Sequence, residues 1–141
     1  MRVFLDANIL FSASIPKSRM RLLVLTLNEY AHLLTSPYAI EEARRNLHGK
    51  KPDALPDFER LLKHIEIIAV AITSLDIALA PKDIPILGGA IAGKATHLLT
   101  GDKQDFGVLW GKTIQGVKIV SPELLARELT KKGWLSQKRD E

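Results

Sequence analysis

The chain has no cysteine among its 141 residues. That excludes a disulfide framework and any thiolate metal centre, and it fits a reducing compartment. No apolar run approaches the roughly 20 residues of a membrane span. There is no secretory signal pattern either, because the first apolar run, Val3-Phe4-Leu5, stops at Asp6. The expectation is a cytoplasmic protein that stays off the membrane. His32, His48, His64 and His97 show no H-x-x-x-H spacing, which leaves them as structural or surface residues rather than a zinc set. No internal repeat is visible, and no linker is long enough to divide the chain in two.

What is present is an ordinary globular composition, 46% hydrophobic and 26% charged. The length suits one domain with a core that buries roughly two-thirds of the unfolded surface. The net charge is +4 and the pI about 9.4. The excess is local. Arg44, Arg45, His48, Lys50 and Lys51 form one basic block, and Lys131, Lys132, Lys138 and Arg139 form another. Such blocks suit a polyanion such as nucleic acid, and they read equally as solvated surface.

Strand-like and helix-like segments alternate. Residues 2–5 read as a buried strand, 18–29 as a helix with Ser18 as candidate N-cap, and 31–35 as a second strand. Ser36 caps a helix with Pro37 at its first position, running to about Leu47, where His48-Gly49 and Pro52 end it. Residues 55–64 make a short helix, and 65–72 read as a strand or an extended run. An Ala- and Gly-rich helix over 84–95 precedes a strand at 96–100 and a helical turn near 104–110. A last strand at 117–120 leads into a helix opened by Ser121-Pro122-Glu123 and ending near Lys131. This order predicts an α/β fold with a parallel sheet covered on both faces. The domain is expected over 1–132, with 133–141 a polar basic tail in which Trp134 and Leu135 are candidates to dock.

The informative feature is where the acids stand. Asp6 closes the first strand, at the sheet's carboxyl edge, where the following turn frees it to face a ligand. Asn8 is placed to support it. Asp102 closes the run His97-Leu98-Leu99-Thr100-Gly101 in the same way, and Asp105 follows on the first turn of a short helix. Asp83 stands just before Ile84-Pro85. Each has a local alternative: Asp6 and Asp102 as turn formers, Asp105 as a partner of the helix dipole, Asp83 as an N-cap. For Glu42 a helical wheel at about 100° per residue decides. Ala39, Ile40, Ala43 and Leu47 share an apolar face, Glu42 lies at its edge near Asn46, and Glu41 points away. Glu42 also reads as a helix-boundary residue pairing with Asn46 or Lys50. Carboxylates converging on one crevice repel one another unless a cation lies between them. An all-oxygen set of this kind suits Mg²⁺ or Mn²⁺.

With these residues in place, the chain resembles a known family. DANIL near the start, SPYAIEEARRNL, KDIPILGGAIAGKATHLLTGDKQDFG and GVKIVSPELL look like a PIN domain over roughly residues 1–126. It is most similar to small single-domain PIN proteins of bacteria and archaea, many of them grouped with VapC-type toxins. The resemblance implies a Rossmann-like α/β/α sandwich with a mainly parallel sheet of about five strands. It implies a metal-dependent ribonuclease with one or two Mg²⁺ or Mn²⁺ ions. The catalytic acids map onto Asp6, Glu42, Asp83 and Asp102, with Asp105 as an added metal ligand beside Asp6, Asp83 and Asp102. Asn8 and Thr100 fall where the family has polar neighbours of the site. Arg44, Arg45 and Lys103 are the residues expected to place an RNA backbone. The implied partners are RNA, a small antitoxin and a second copy of the chain in a homodimer. Gly88-Gly89 depart from the bulkier residues usual in that helix, at a cost in helix propensity. The alternative function is a catalytically silent PIN domain that binds RNA as a scaffold. A phosphoacceptor receiver domain is disfavoured, because an acidic pair right after the first strand and a mid-chain phosphoacceptor Asp are both missing.

Overall fold

Val3, Phe4 and Leu5 are all fully buried. Neighbouring strand residues point to opposite faces, so the sheet that holds them is covered on both. The computed structural model describes residues 1–136. Its strands are β1 (Arg2–Leu5), β2 (His32–Thr35), β3 (Glu66–Ile67), β4 (His97–Leu99), β5 (Thr113–Ile114) and β6 (Val117–Val120), and its helices are α1 (Ala7–Ser14), α2 (Arg19–Tyr30), α3 (Pro37–Lys50), α4 (Leu55–Leu62), α5 (Ile84–Ala92), α6 (Lys103–Phe106) and α7 (Pro122–Lys131). Short 3₁₀ turns cover Pro52–Ala54 and Gly107–Leu109. The sheet order is β3-β2-β1-β4-β6-β5. Every pairing is parallel except β5 with β6. Among the described residues, no helix is long and apolar enough to cross a membrane.

The expected caps form. Ser18, Ser36 and Ser121 accept from the amides of Arg21, Ala39 and Leu124 at 3.1, 3.2 and 3.1 Å, each satisfying a donor that the helix start leaves free. α3 runs past His48-Gly49 to Lys50. The amide of Lys51 still reaches Leu47 O at 2.7 Å, and the chain leaves the helix only at Lys51, before Pro52.

Three things differ from the sequence reading. The segment after Asp6 is not a free turn but the helix α1, whose residues Ile9, Leu10 and Ala13 are buried. The sheet has six strands rather than about five. The extra one is β5, formed because Gln115 and Gly116 both take positive φ, 48° and 87°, the backbone of a two-residue hairpin turn. Finally, residues 65–72 form only a two-residue strand and then run extended, with Ile68 N–H on Thr35 O at 2.8 Å and Ile72 N–H on Gly88 O at 3.0 Å. Of the C-terminal basic block, Lys138 and Arg139 lie outside the described residues. Trp134 stacks on Tyr30 with ring centroids 5.2 Å apart.

The Gly88-Gly89 pair now has a reason. A Cβ at Gly88 would lie 2.0 Å from Ile72 O, and one at Gly89 would lie 3.2 Å from the Phe4 ring. These glycines let α5 meet the extended strap on one side and β1 on the other. Gly88→Ala is therefore expected to lower stability by about 1–3 kcal/mol through overpacking. Gly49→Ala, in a helical position with nothing within 4 Å, is expected to raise it by up to about 1 kcal/mol. Urea denaturation of both variants checks the pair; equal effects would contradict the close approach.

Candidate metal centre

β1 and β4 pair in parallel with Leu5 opposite Leu99. That register brings Asp6 and Thr100 side by side at the sheet's carboxyl edge. Thr100 is fully buried, and its hydroxyl donates to Asp6 Oδ2 at 2.8 Å while accepting from the Asp102 amide at 3.1 Å. The Ala7 amide donates to Asp6 Oδ1 at 2.6 Å, so Asp6 also caps α1. Asn8, in the first turn of α1, donates to Asp6 Oδ2 at 3.4 Å and accepts from the Gly101 amide at 3.0 Å. It ties the two strand ends together. Trp110 closes the loop by donating its indole N–H to Thr100 O at 3.2 Å.

Asp102 caps α6 by accepting from the Asp105 amide at 3.0 Å. The turn fixes both carboxylates on one side of the short helix. Asp83 reaches them from the start of α5. Oxygens of Asp83, Asp102 and Asp105 all lie within 4.8 Å of one another. Asp83 occupies the N-cap position of α5, yet its side chain makes no capping hydrogen bond. Its Oδ2 is buried without a hydrogen-bond partner. Buried polar atoms are almost always paired, so an unpaired carboxylate oxygen beside two further carboxylates marks a place that a cation fits. The donor set is all oxygen, which suits Mg²⁺ or Mn²⁺ and not zinc bound by nitrogen or sulfur.

The electrostatics agree with the geometry. Burial raises the Asp6 carboxyl to about 6, partly offset by the bonds from Thr100 and Ala7 and reinforced by the charges of Glu42 and Asp102. Burial likewise raises Asp83 to about 6, with Asp105, Asp102 and Asp6 adding to the effect. Glu42 is half-buried on α3, and its charge is felt at Asp6. The five acids singled out in the sequence thus share one field.

The basic residues are arranged unevenly. Arg44 is held by Glu59 through two bonds of 3.1 Å and lies over the Phe58 ring, 5.4 Å from its centroid. Arg45 and Lys103 are exposed. Sequence reasoning missed Lys82. It precedes Asp83 directly, and its ammonium lies 2.5 Å from Asp105 Oδ2. That hydrogen bond holds the Asp105 carboxyl below the usual range and raises the lysine. The signal was the K-D step itself, which puts a cation at the mouth of an acidic site.

The PIN domain model matches residues 2–104. The chain belongs to the PIN domain family. No curated protein matches it. Among solved structures it is similar to VapBC2 from Rickettsia felis bound to a DNA fragment from their promoter, with a TM-score of 0.62 and 18% identity over 86% of this chain and 98% of that one. It is also similar to FitAB bound to the IR36 DNA fragment, with a TM-score of 0.50 and 16% identity over 98% of this chain and 99% of that one. At these identities the likeness shows a shared fold. The mainly parallel, doubly covered sheet of this PIN domain agrees with it.

A raised acid favours the protonated fold. Ionising Asp6 and Asp83 therefore destabilises the fold, a penalty fully felt above about pH 6 that disappears as the pH falls toward the unfolded value of 3.8. In the absence of divalent ions, Asp83→Asn is expected to be more stable than wild type at pH 7.5 by about 1–3 kcal/mol. The gap should shrink as the pH is lowered through 6 to 4. Thermal melts across that range in EDTA check it; an unchanged gap would contradict the assignment.

Proposed function

We propose that this PIN domain is a divalent-metal-dependent endoribonuclease and the toxin of a type II toxin–antitoxin pair. The observation that carries the reading is the Asp83–Asp102–Asp105 cluster with its unpaired buried oxygen, at the carboxyl edge where open α/β sheets bind ligands. PIN domains are generally nucleases, and the family match supports that class of chemistry. The VapBC2 and FitAB neighbours are complexes on DNA. They support a small antitoxin as partner; RNA as substrate and a second copy of the chain in a homodimer belong to the proposal.

Asp83, Asp102 and Asp105 would hold one or two Mg²⁺ or Mn²⁺ ions, with Asp6 as a further ligand. A bound ion there supplies a nucleophilic water at neutral pH and stabilises charge on the phosphodiester. Thr100 and Asn8 position the Asp6 carboxylate. Glu42, half-buried on α3 with its charge felt at Asp6, would orient the attacking water. Arg45 and Lys103 are free to meet the RNA backbone, whereas Arg44 must first leave Glu59.

A labelled mixed RNA pool tests the reading. Wild type should cleave with Mn²⁺ or Mg²⁺ and not with EDTA. Asp6→Asn should lose at least about 100-fold, since lost charge stabilisation at such sites is worth several kcal/mol. An Asp6→Asn variant that cleaves as wild type does would overturn it. The toxin role predicts that the product of a neighbouring small reading frame co-purifies with the protein and relieves its toxicity on co-expression.

A further inference from the structure

Lys82 is a cation at the mouth of the carboxylate crevice that the proposed chemistry does not use. Its backbone is fixed by the turn into α5, where the Asp83 and Ile84 amides donate to Ala80 O at 2.9 and 3.3 Å. Its side chain is 62% exposed, whereas that of Asp105 is 20% exposed. An exposed lysine gains little from a single surface pair, about 1 kcal/mol at most. Here the ammonium has bent onto a half-buried acid, 2.5 Å from Asp105 Oδ2, and the charges of Asp83 and Asp102 also act on it. Asp105 is one of the three acids whose oxygens fall within 4.8 Å of one another. A divalent ion held by those three would need the carboxylate that Lys82 holds, and it would meet the ammonium's positive charge at short range.

We propose that Lys82 is a built-in counter-ion of the acidic crevice, which a divalent cation must displace from Asp105 to load the site. This rests on the metal-site reading above and adds its regulation. Lys82 neutralises part of the cluster when no ion is bound, and it sets the ion concentration at which loading begins. A nearby lysine that served only to hold RNA would leave ion affinity alone. A positive charge acting only through the general field would weaken ion binding whether or not Asp105 were ionised.

Mn²⁺ titration of the full chain by calorimetry at pH 7.5 separates these cases, with wild type, Lys82→Met, Asp105→Asn and the double variant. Lys82→Met is expected to bind Mn²⁺ about 3- to 5-fold more tightly, the upper scale of one exposed ion pair. In the Asp105→Asn background the same lysine change is expected to alter affinity less than about twofold, since a double-mutant cycle isolates the direct pair. Wild type that binds Mn²⁺ while Lys82→Met binds no more tightly would overturn the counter-ion and leave the metal site standing. An equal gain in the Asp105→Asn background would also overturn it, in favour of a general field. Wild type that takes up no Mn²⁺ would overturn the metal-site reading and the counter-ion with it.

Discussion

Thr100 donates its hydroxyl to Asp6 at 2.8 Å, and the Ala7 amide donates to the other oxygen at 2.6 Å. Between them they hold a carboxylate that is only 5% exposed. The bond from Thr100 joins the ends of two different strands, so it exists only while β1 and β4 keep their register, with Leu5 opposite Leu99. A slip of one residue would turn every side chain of β4 to the other face and carry Thr100 away from Asp6. The same hydroxyl accepts from the Asp102 amide. The placement of α6, and so of Asp102 and Asp105, follows from that one threonine. The buried runs Val3-Phe4-Leu5 and Leu98-Leu99 fix the register through packing. The site inherits its geometry from the core.

The core also opposes the site. Asp6 and Asp83 are desolvated and face other acids, so ionising them works against folding. The structure meets this in two ways. Hydrogen bonds from Thr100, Ala7 and Asn8 satisfy Asp6 almost completely. Asp83 receives no such bond on Oδ2. The first turn of α5 offers that oxygen no partner: Ile84 N–H is bonded to Ala80 O, Pro85 has no N–H, and the amides of Ile86 and Leu87 reach Asp83 O. The oxygen stays buried and unpaired on a residue whose carboxylate lies within 4.8 Å of those of Asp102 and Asp105, which is the arrangement expected where a functional group is held ready at the expense of stability.

Much of this was legible in the sequence because the signals are local. Apolar runs ended by acids gave the strand ends, and Ser18, Ser36 and Ser121 announced three helix starts. The helical wheel separated Glu42 from Glu41, and Glu42 is the one whose charge is felt at Asp6. What stayed hidden depends on contacts between distant segments. Helix α1 is short and begins at an aspartate that looks like a turn former. Its helical character comes from burying Ile9, Leu10 and Ala13. The glycines of α5 looked like a propensity defect until Ile72 and Phe4 were placed against them. Hairpin strand β5 has only two residues, too few for any period to show. Arg44 is expected from its basic block to place RNA, and nothing local shows that Glu59 and Phe58 come to it from α4. Lys82 was visible and passed over, because nothing in its own neighbourhood tells which acid it will meet.

An acidic crevice of this kind links occupancy to folding. An ion that binds the native cluster and not the unfolded chain stabilises the fold by mass action, increasingly so as its concentration exceeds the dissociation constant. The linkage is largest where the empty site is most strained, above about pH 6, where Asp6 and Asp83 are both ionised. Lys82 moderates it from the other side by neutralising Asp105 while the site is empty. The empty protein therefore keeps its crevice assembled with one internal cation, and Asp83 keeps one buried oxygen for an external one. That division explains why Asp105 is paired and Asp83 is not, although both sit in the same cluster. The half-buried acid can be reached by a flexible lysine, and the buried acid only by something small enough to enter.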